Sequence, residues 1–551
     1  MNNKLQELYS VWEKLYSNSE INLLDEFISE FENYKSNLNL PDLEHLWYKN
    51  TVVYSLYVDL FNVDFKGLIE KFDYLEELGV NCLWLLPVLD SPMKDGGFDV
   101  RNFRLVRKSL LGLDYEISDS ESEKLFEDFL QKAHQKNFKI IFDLPLNHCS
   151  DENKYFENSK NDKGNEYRDY FIWSESDKKY SEARVIFKGI EESNWKKYDD
   201  EYYFHRFFEF QPDLNYRNPE VLLEMTRVLL YWLKSGVDGF RADAIPYLWK
   251  EDGTDCENLE GTHLILKFMK AVLDYVRPNV LFLAEACQKP KEVVKYFADA
   301  DECNAAYHFP LMPMIYKAIA SQDKNPIISI LDKKNTPEIS EKSQWFLFLR
   351  CHDELSLEHV YVSEYDRKYI YNHYCRDPKW DFREGEGISA RLGELMEFNP
   401  NKILLAYSII LTLPGTPIIY YGDEFAKAND EKYYDEQIKI TGKNDTRFLA
   451  RGRIDWTNVE KKLSDENYIS NKVFSELKKM IKERNSTHVF GCGTIDWIDV
   501  KNDSILAYYR IYKDEKFLIL NNLSDKEQSF SIDSKGSFML NGYGFYWKRM
   551  K

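Results

Sequence analysis

Apolar positions along this chain switch repeatedly between two spacings. Val221, Leu222, Met225, Val228, Leu229, Trp232 and Leu233 recur at three- and four-residue intervals, which places them on one helical face. Asn218-Pro219 suits the start of that helix and Gly236 its end. A short strand is predicted next, within Gly236-Val-Asp-Gly-Phe-Arg-Ala-Asp-Ala244, and its far end carries Arg241 and Asp243. The same alternation runs through most of the chain. Residues 47–61 alternate like a strand. Asp64 caps a helix with Phe65, Leu68, Ile69, Phe72, Leu75 and Leu78 on one face, ended by Gly79. Residues 80–89 are almost continuously apolar, as in a strand buried on both faces. A helix at 125–135 leads to a strand at 138–148 that ends in Asp143, Asn147 and His148. Helices at 264–276, 291–297 and 402–413 alternate with strands at 280–285, 305–309, 344–353 and 417–422. The count is about eight β-α units, the number that closes a (β/α)8 barrel, the TIM-barrel form of the α/β class.

Three stretches depart from the alternation. Residues 1–46 are polar with helical spacing at Leu5, Leu8, Trp12 and Leu15, which predicts a helical N-terminal extension. Residues 149–217, after the third strand, are polar and aromatic; so long an insertion is usually functional, and it is expected as a subdomain over the barrel mouth. From residue 489 helices give way to alternating strands, which predicts a C-terminal β-sandwich over 489–551. The barrel is then 47–148 and 218–488.

Composition narrows the function. The chain has 551 residues, too many for a single core. Its net charge of -20 disfavours nucleic acid and anionic membrane, which attract basic surfaces. A neutral small-molecule partner fits, and an aromatic content of 15% suits the apolar faces of sugars as well as core packing. The eight cysteines form no C-x-x-C pair, so reduced thiols in a cytoplasmic protein are expected. No stretch approaches the ~18–20 apolar residues of a membrane span.

Three acids stand at separate strand ends: Asp243, Glu285 and Asp353, with His148, His352 and Arg241 beside them. Alone, Arg241 and Asp243 read as an ion pair, and Gly96-Gly-Phe-Asp99 as a turn. In a barrel the strand ends converge on one mouth, where chemistry resides. Substitution at a sugar carbon with retention needs a carboxylate nucleophile and a second carboxyl acting first as acid, then as base. A third acid can hold ring hydroxyls and support the developing positive charge.

Asp143-Leu-Pro-Leu-Asn-His148, Gly239-Phe-Arg-Ala-Asp243, Leu283-Ala-Glu285 and Arg350-Cys-His-Asp353 resemble the four signature regions of the α-amylase glycoside hydrolase family. Gln211-Pro-Asp-Leu-Asn215 resembles the fifth region of its oligosaccharide-active branch, and within that branch the chain looks most like the trehalose synthases (maltose α-D-glucosyltransferases). The resemblance implies Asp243 as nucleophile, Glu285 as acid/base and Asp353 as transition-state stabiliser. It implies Asp99, His148, Gln211, Arg241 and His352 as substrate-binding residues, and Arg451 as a further one pairing with Asp99. Pro145, Phe98, Cys351 and the segment Arg451-Gly-Arg-Ile-Asp-Trp456 depart from the family pattern, the last on the acceptor side.

No cofactor is required for this chemistry. Some relatives bind a calcium ion; here Asn147, Asp213 and the carbonyls of Tyr247 and Leu248 could supply the oxygens a hard cation needs. Lys250 stands where an acidic ligand is expected, with Glu251 next to it, which argues against tight binding. The alternative is that Asn147 and Asp213 only hydrogen-bond each other's loops. Three functions remain open: a glucosyl-transferring isomerase acting on maltose and trehalose, a hydrolase of α-linked gluco-oligosaccharides, and a non-catalytic sugar-binding protein. Loss of a triad acid would favour the last, and all three acids are present.

Overall fold

A computed structural model describes residues 3–17, 20–113, 118–532 and 536–550; the remaining positions of the expected extension, barrel and C-terminal region lie outside the described residues. Eight parallel strands close into a barrel: β1 (Val53–Leu56), β2 (Cys82–Leu85), β3 (Lys139–Pro145), β4 (Gly239–Asp243), β5 (Leu281–Ala284), β6 (Ala305–Tyr307), β7 (Gln344–Phe348) and β8 (Thr416–Tyr420). Each strand pairs with its sequence neighbours, and β8 pairs with β1. The strands are shorter than their apolar runs. The run at 47–61 contains a 3-10 turn at Trp47–Asn50, β1, and a helix at Val58–Asn62, all buried along one side. The predicted helix at 65–78 is two helices, Phe65–Glu70 and Phe72–Leu78, divided at Lys71, whose φ of -102° and ψ of 8° leave the helical range. Its ends follow expectation: the Asp64 carboxylate accepts from the Gly67 N–H, and Gly79 is left-handed.

Helices α1 (Asn3–Tyr16) and α2 (Ile21–Asn37) lie outside the barrel, beside α3 (Pro219–Ser235) and against α4 (Glu260–Val276), and Arg227 Nε of α3 bonds Glu30 of α2 at 2.9 Å. Trp12 and Phe27 both pack on Phe268, at 5.9 and 6.0 Å between ring centres, which accounts for the helical apolar spacing of the extension. The Tyr16 hydroxyl donates to the Tyr216 carbonyl at 2.8 Å. After β3 the inserted stretch forms a helix (Lys154–Asn161) and a three-stranded antiparallel sheet of Trp173–Ser174, Glu201–Phe204 and Trp195–Tyr198.

Following α5 (Pro400–Thr412) and β8, the C-terminal region has a one-turn helix, Val489–Cys492, then a four-stranded and a two-stranded sheet. Strand periodicity of two sends alternate residues to opposite faces. Ile505, Ala507, Leu518 and Leu520 pack with Phe530, Ile532 and Leu540 of the smaller sheet. Leu506, Tyr508, Phe517 and Ile519 face the barrel core. Trp547 Nε1 donates to Ser408 Oγ of α5 at 2.8 Å, fastening this sandwich to the barrel.

Candidate active site

Register places the chemistry at one level. Pro145 of β3 lies opposite Asp243 of β4, and Ala242 of β4 opposite Ala284 of β5. The next residue, Glu285, donates its N–H to the Ala242 carbonyl at 3.1 Å. Glu285 and Asp243 are thereby held side by side as each strand leaves the barrel. Both line a cavity of about 110 Å³ at the C-terminal mouth, with Asp353, His148, His352, Phe98 and Asp95.

Arg241 organises the three acids beneath this cavity. Its Nη1 bonds Asp143 Oδ1 at 2.8 Å and also Asp243 Oδ1, and its Nη2 bonds Glu285 Oε1. Trp84 Nε1 holds the other oxygen of Asp143 at 3.0 Å, and the Ala244 N–H donates to Glu285 Oε2 at 2.9 Å. Ala244 takes a left-handed φ of 56° to aim that N–H. One guanidinium faces three buried carboxyls, so it cannot stabilise all of them ionised. Burial, opposed by Arg241 and reinforced by Asp243 and Asp353, pushes Glu285 up to about 8. Burial likewise raises Asp243 to about 6, with Arg241 opposing. Near neutral pH Glu285 therefore carries a proton while Asp243 is ionised, the division that an acid and a nucleophile require.

Asp353 behaves oppositely. Burial pushes its carboxyl up, but His352, Arg447 and Arg451 hold it well below the usual carboxylate range. Burial also keeps His352 neutral, so the two arginines are the lasting positive charges. Arg447 Nη1 bonds Asp353 Oδ1 at 3.0 Å, and its Nη2 bonds Asp95 Oδ1 at 2.9 Å and Asp445 Oδ2 at 2.7 Å. His352 stacks on Phe98 at 5.1 Å.

Five of the residues expected at the site, Asp243, Glu285, Asp353, His148 and His352, line the cavity, and Arg241 holds two of the acids from below. Asp99 does not reach it. Its carboxylate accepts from Ser91 Oγ at 3.0 Å, the Lys94 N–H at 2.9 Å and the Asp95 N–H at 3.1 Å, all within its own loop. The expected pairing of Arg451 with Asp99 is also absent: Arg451 Nε donates to the His352 carbonyl at 2.9 Å, and its Nη2 lies 3.4 Å from Asp353 Oδ1. The pair that faces the cavity is Asp95 with Arg447, because the turn at Gly96 and Gly97, both at positive φ, directs Asp95 outward and Asp99 back. Gln211 is fully buried behind the wall, where its amide donates to Asp95 Oδ2 at 3.1 Å and faces His148 Nε2 at 3.4 Å.

The opposite wall was not evident from the sequence. Arg383 Nη2 bonds Glu354 at 2.9 Å and Glu358 at 3.0 Å. Arg184 of the inserted subdomain bonds Glu358 at 3.2 Å and Glu257 at 2.8 Å. Glu354 adjoins Asp353 in the chain, which is a signal of sorts; nothing marks Arg383 in advance. Phe187, Phe208 and Phe210 pack with Tyr247 and Phe382, tying the subdomain to the segments that follow β4 and β7.

The two side-chain oxygens considered for calcium already face a cation. Lys250 Nζ lies 2.7 Å from Asn147 Oδ1 and 2.8 Å from Asp213 Oδ2. With an ammonium beside Asn147 and Asp213, the set Asn147, Asp213, Tyr247 and Leu248 does not fit calcium, which takes six to eight oxygens.

A barrel with paired acids at its mouth and a subdomain after the third strand defines the amylase-like class of glycoside enzymes. Residues 49–490 match the family model described as the α-amylase catalytic domain, and residues 505–543 match that of the α-amylase SusG C-terminal domain. The chain belongs to the α-amylase family. It is 36% identical over 570 residues to a trehalose synthase/amylase of Mycolicibacterium smegmatis, covering 92% of this chain and 93% of that protein. It is 34% identical to a trehalose synthase of a Pimelobacter species, over 92% and 96% of the two chains. Among solved structures a trehalulose synthase superposes with a TM-score of 0.70 at 22% identity, covering 92% of this chain and all of that one.

Proposed function

We propose that the protein is a retaining glucosyl-transfer enzyme that interconverts maltose and trehalose within one active site. The observation that carries this reading is the small cavity holding the acid pair, closed on its far side by the Arg383–Glu354–Glu358–Arg184 network. A wall of fixed charges suits a hydroxyl-rich leaving sugar kept in place, rather than a long polymer threading through.

Glu285 donates its proton to the glycosidic oxygen as the C1–O bond breaks, and an Asp243 oxygen forms a bond to C1 from the opposite face. Asp353, held ionised by Arg447 and Arg451, takes the ring hydroxyls and favours the positive charge that develops. The released glucose turns and presents its anomeric hydroxyl. Glu285, now a carboxylate, removes that proton; the new C1–O bond forms and Asp243 leaves. Two inversions give net retention. Water taking the place of the glucose would give hydrolysis, a reading that the name trehalose synthase/amylase of the Mycolicibacterium relative keeps in play. The eight free thiols suit a reducing compartment, and we assign the enzyme to the cytoplasm.

The test is to incubate the protein with maltose and isotopically labelled free glucose, then separate the products. Trehalose without label is expected. Glucose alone would make the protein a hydrolase, and labelled trehalose would mean that the acceptor exchanges with solvent.

A further inference from the structure

Two of the calcium ligands considered from the sequence, Asn147 and Asp213, meet on a lysine. Lys250 follows the 3-10 turn Ile245–Tyr247 after β4, and its side chain is 3% exposed. Its ammonium meets Asn147 Oδ1 at 2.7 Å, Asp213 Oδ2 at 2.8 Å and the Leu214 carbonyl at 3.5 Å. Asn147 leaves β3; Asp213 and Leu214 are where the inserted subdomain returns to the barrel. The two segments also bond directly, with the Leu214 N–H donating to the Asn147 carbonyl at 2.8 Å and an antiparallel bridge between His148 and Asp213. Charge balances at one ammonium to one carboxylate. A divalent ion here would meet that ammonium, and the second oxygen of Asp213, Oδ1, is already held by the Arg206 backbone N–H at 2.8 Å. Glu251 offers no substitute acid, since it is turned outward beside Arg217 and is 57% exposed.

We propose that Lys250 is a built-in cation: its ammonium joins the β3 loop, the subdomain and the β4 loop as a bound metal ion would, so that this junction forms without divalent metal. Asn147 immediately precedes His148, whose ring lines the catalytic cavity. Lys250 is thus a positioning residue for His148. A point charge on a flexible stem can adapt to three oxygens, whereas calcium would need more oxygens and more negative charge than the site contains.

The experiment compares wild type, Lys250→Met and Lys250→Glu, each stripped with EDTA and each titrated with calcium chloride. Melting temperature is read first, and kcat/KM on an aryl α-glucoside second. Wild type is expected to melt within about 1 °C in both conditions, since an ion that does not bind gives no linkage stabilisation. Lys250→Met should melt lower and lose roughly 10- to 100-fold in kcat/KM, the range seen when a supporting shell is removed, with no recovery in calcium. Lys250→Glu supplies the missing acid, so its melting temperature and kcat/KM should both rise with calcium concentration, a response that loss of packing alone does not produce. A wild-type melting temperature that climbs by several degrees with calcium would overturn the proposal. So would a Lys250→Met protein matching wild type in both readouts, or a folded Lys250→Glu protein indifferent to calcium. If Lys250→Glu does not fold, the wild-type and methionine arms decide. The melting arms require no turnover, so they stand apart from the outcome with maltose.

Discussion

Glu285→Gln should stabilise the protein in alkaline solution while removing its turnover of natural substrate. Glu285 is raised from 4.5 to about 8, first by burial and then by Asp243 and Asp353, against the pull of Arg241. Because the folded value lies above the unfolded one, the native state keeps a proton that the unfolded chain releases. The resulting stability is complete below about pH 4, is lost progressively as pH rises, and is gone above about pH 8. The full span corresponds to about 5 kcal/mol at about 1.4 kcal/mol per pH unit. Glutamine never ionises and escapes this loss. Its amide nitrogen cannot accept a hydrogen bond, whereas both oxygens of the protonated Glu285 can, so either the Arg241 or the Ala244 N–H contact is lost, which costs about 1–3 kcal/mol. The variant should therefore melt lower than wild type near pH 5 and higher near pH 9, the alkaline gain being about 2–4 kcal/mol. At this chain length that is about 1 °C per kcal/mol. Thermal melts across pH 5–9 measure the difference, and kcat/KM for maltose should lose its alkaline limb near pH 8 together with most of its magnitude. A melting difference that stays constant across this range would refute the charge argument, whatever the activity does.

Asp243→Asn should abolish turnover of every substrate, by roughly 10⁴-fold or more. Glu285→Gln with an aryl glucoside whose leaving group needs no proton should still accumulate a covalent sugar, which azide releases as the α-glucosyl azide; mass spectrometry reads both, and no trapped sugar means that the two roles are reversed. Arg447→Met leaves Asp95, Asp353 and Asp445 facing one another, so a loss of about 3–5 kcal/mol in stability and a fall in kcat/KM are expected; a wild-type melt would show that Arg451 alone suffices. Val63 is 71% exposed at φ 70°, a conformation that a β-branched residue resists, so Val63→Gly should stabilise by about 1 kcal/mol.

The β-α alternation, the order of the strand ends and the identities of Asp243, Glu285 and Asp353 were all legible in the sequence. Helical and strand periodicities differ, and every strand end of a parallel barrel points to the same mouth. The division of labour between Glu285 and Asp243 was legible as a pair but not as a pair of pKa values, because burial and the sharing of one guanidinium exist only after folding. Asp95 and Asp99 stand four residues apart in one tight loop, and Arg447 and Arg451 four apart in another. Both members of each pair have the right chemistry, and sequence spacing cannot say which side chain faces inward when positive-φ glycines turn the backbone between the two acids and a 3-10 turn at Thr446–Leu449 carries it between the two arginines. The wall of Arg383, Glu354, Glu358 and Arg184 joins positions up to 199 residues apart, and no local pattern encodes such a meeting. The same holds for Lys250: in the sequence it is a wrong charge beside oxygen donors, and in the tertiary structure its ammonium meets Asn147 and Asp213 and adds the Leu214 carbonyl.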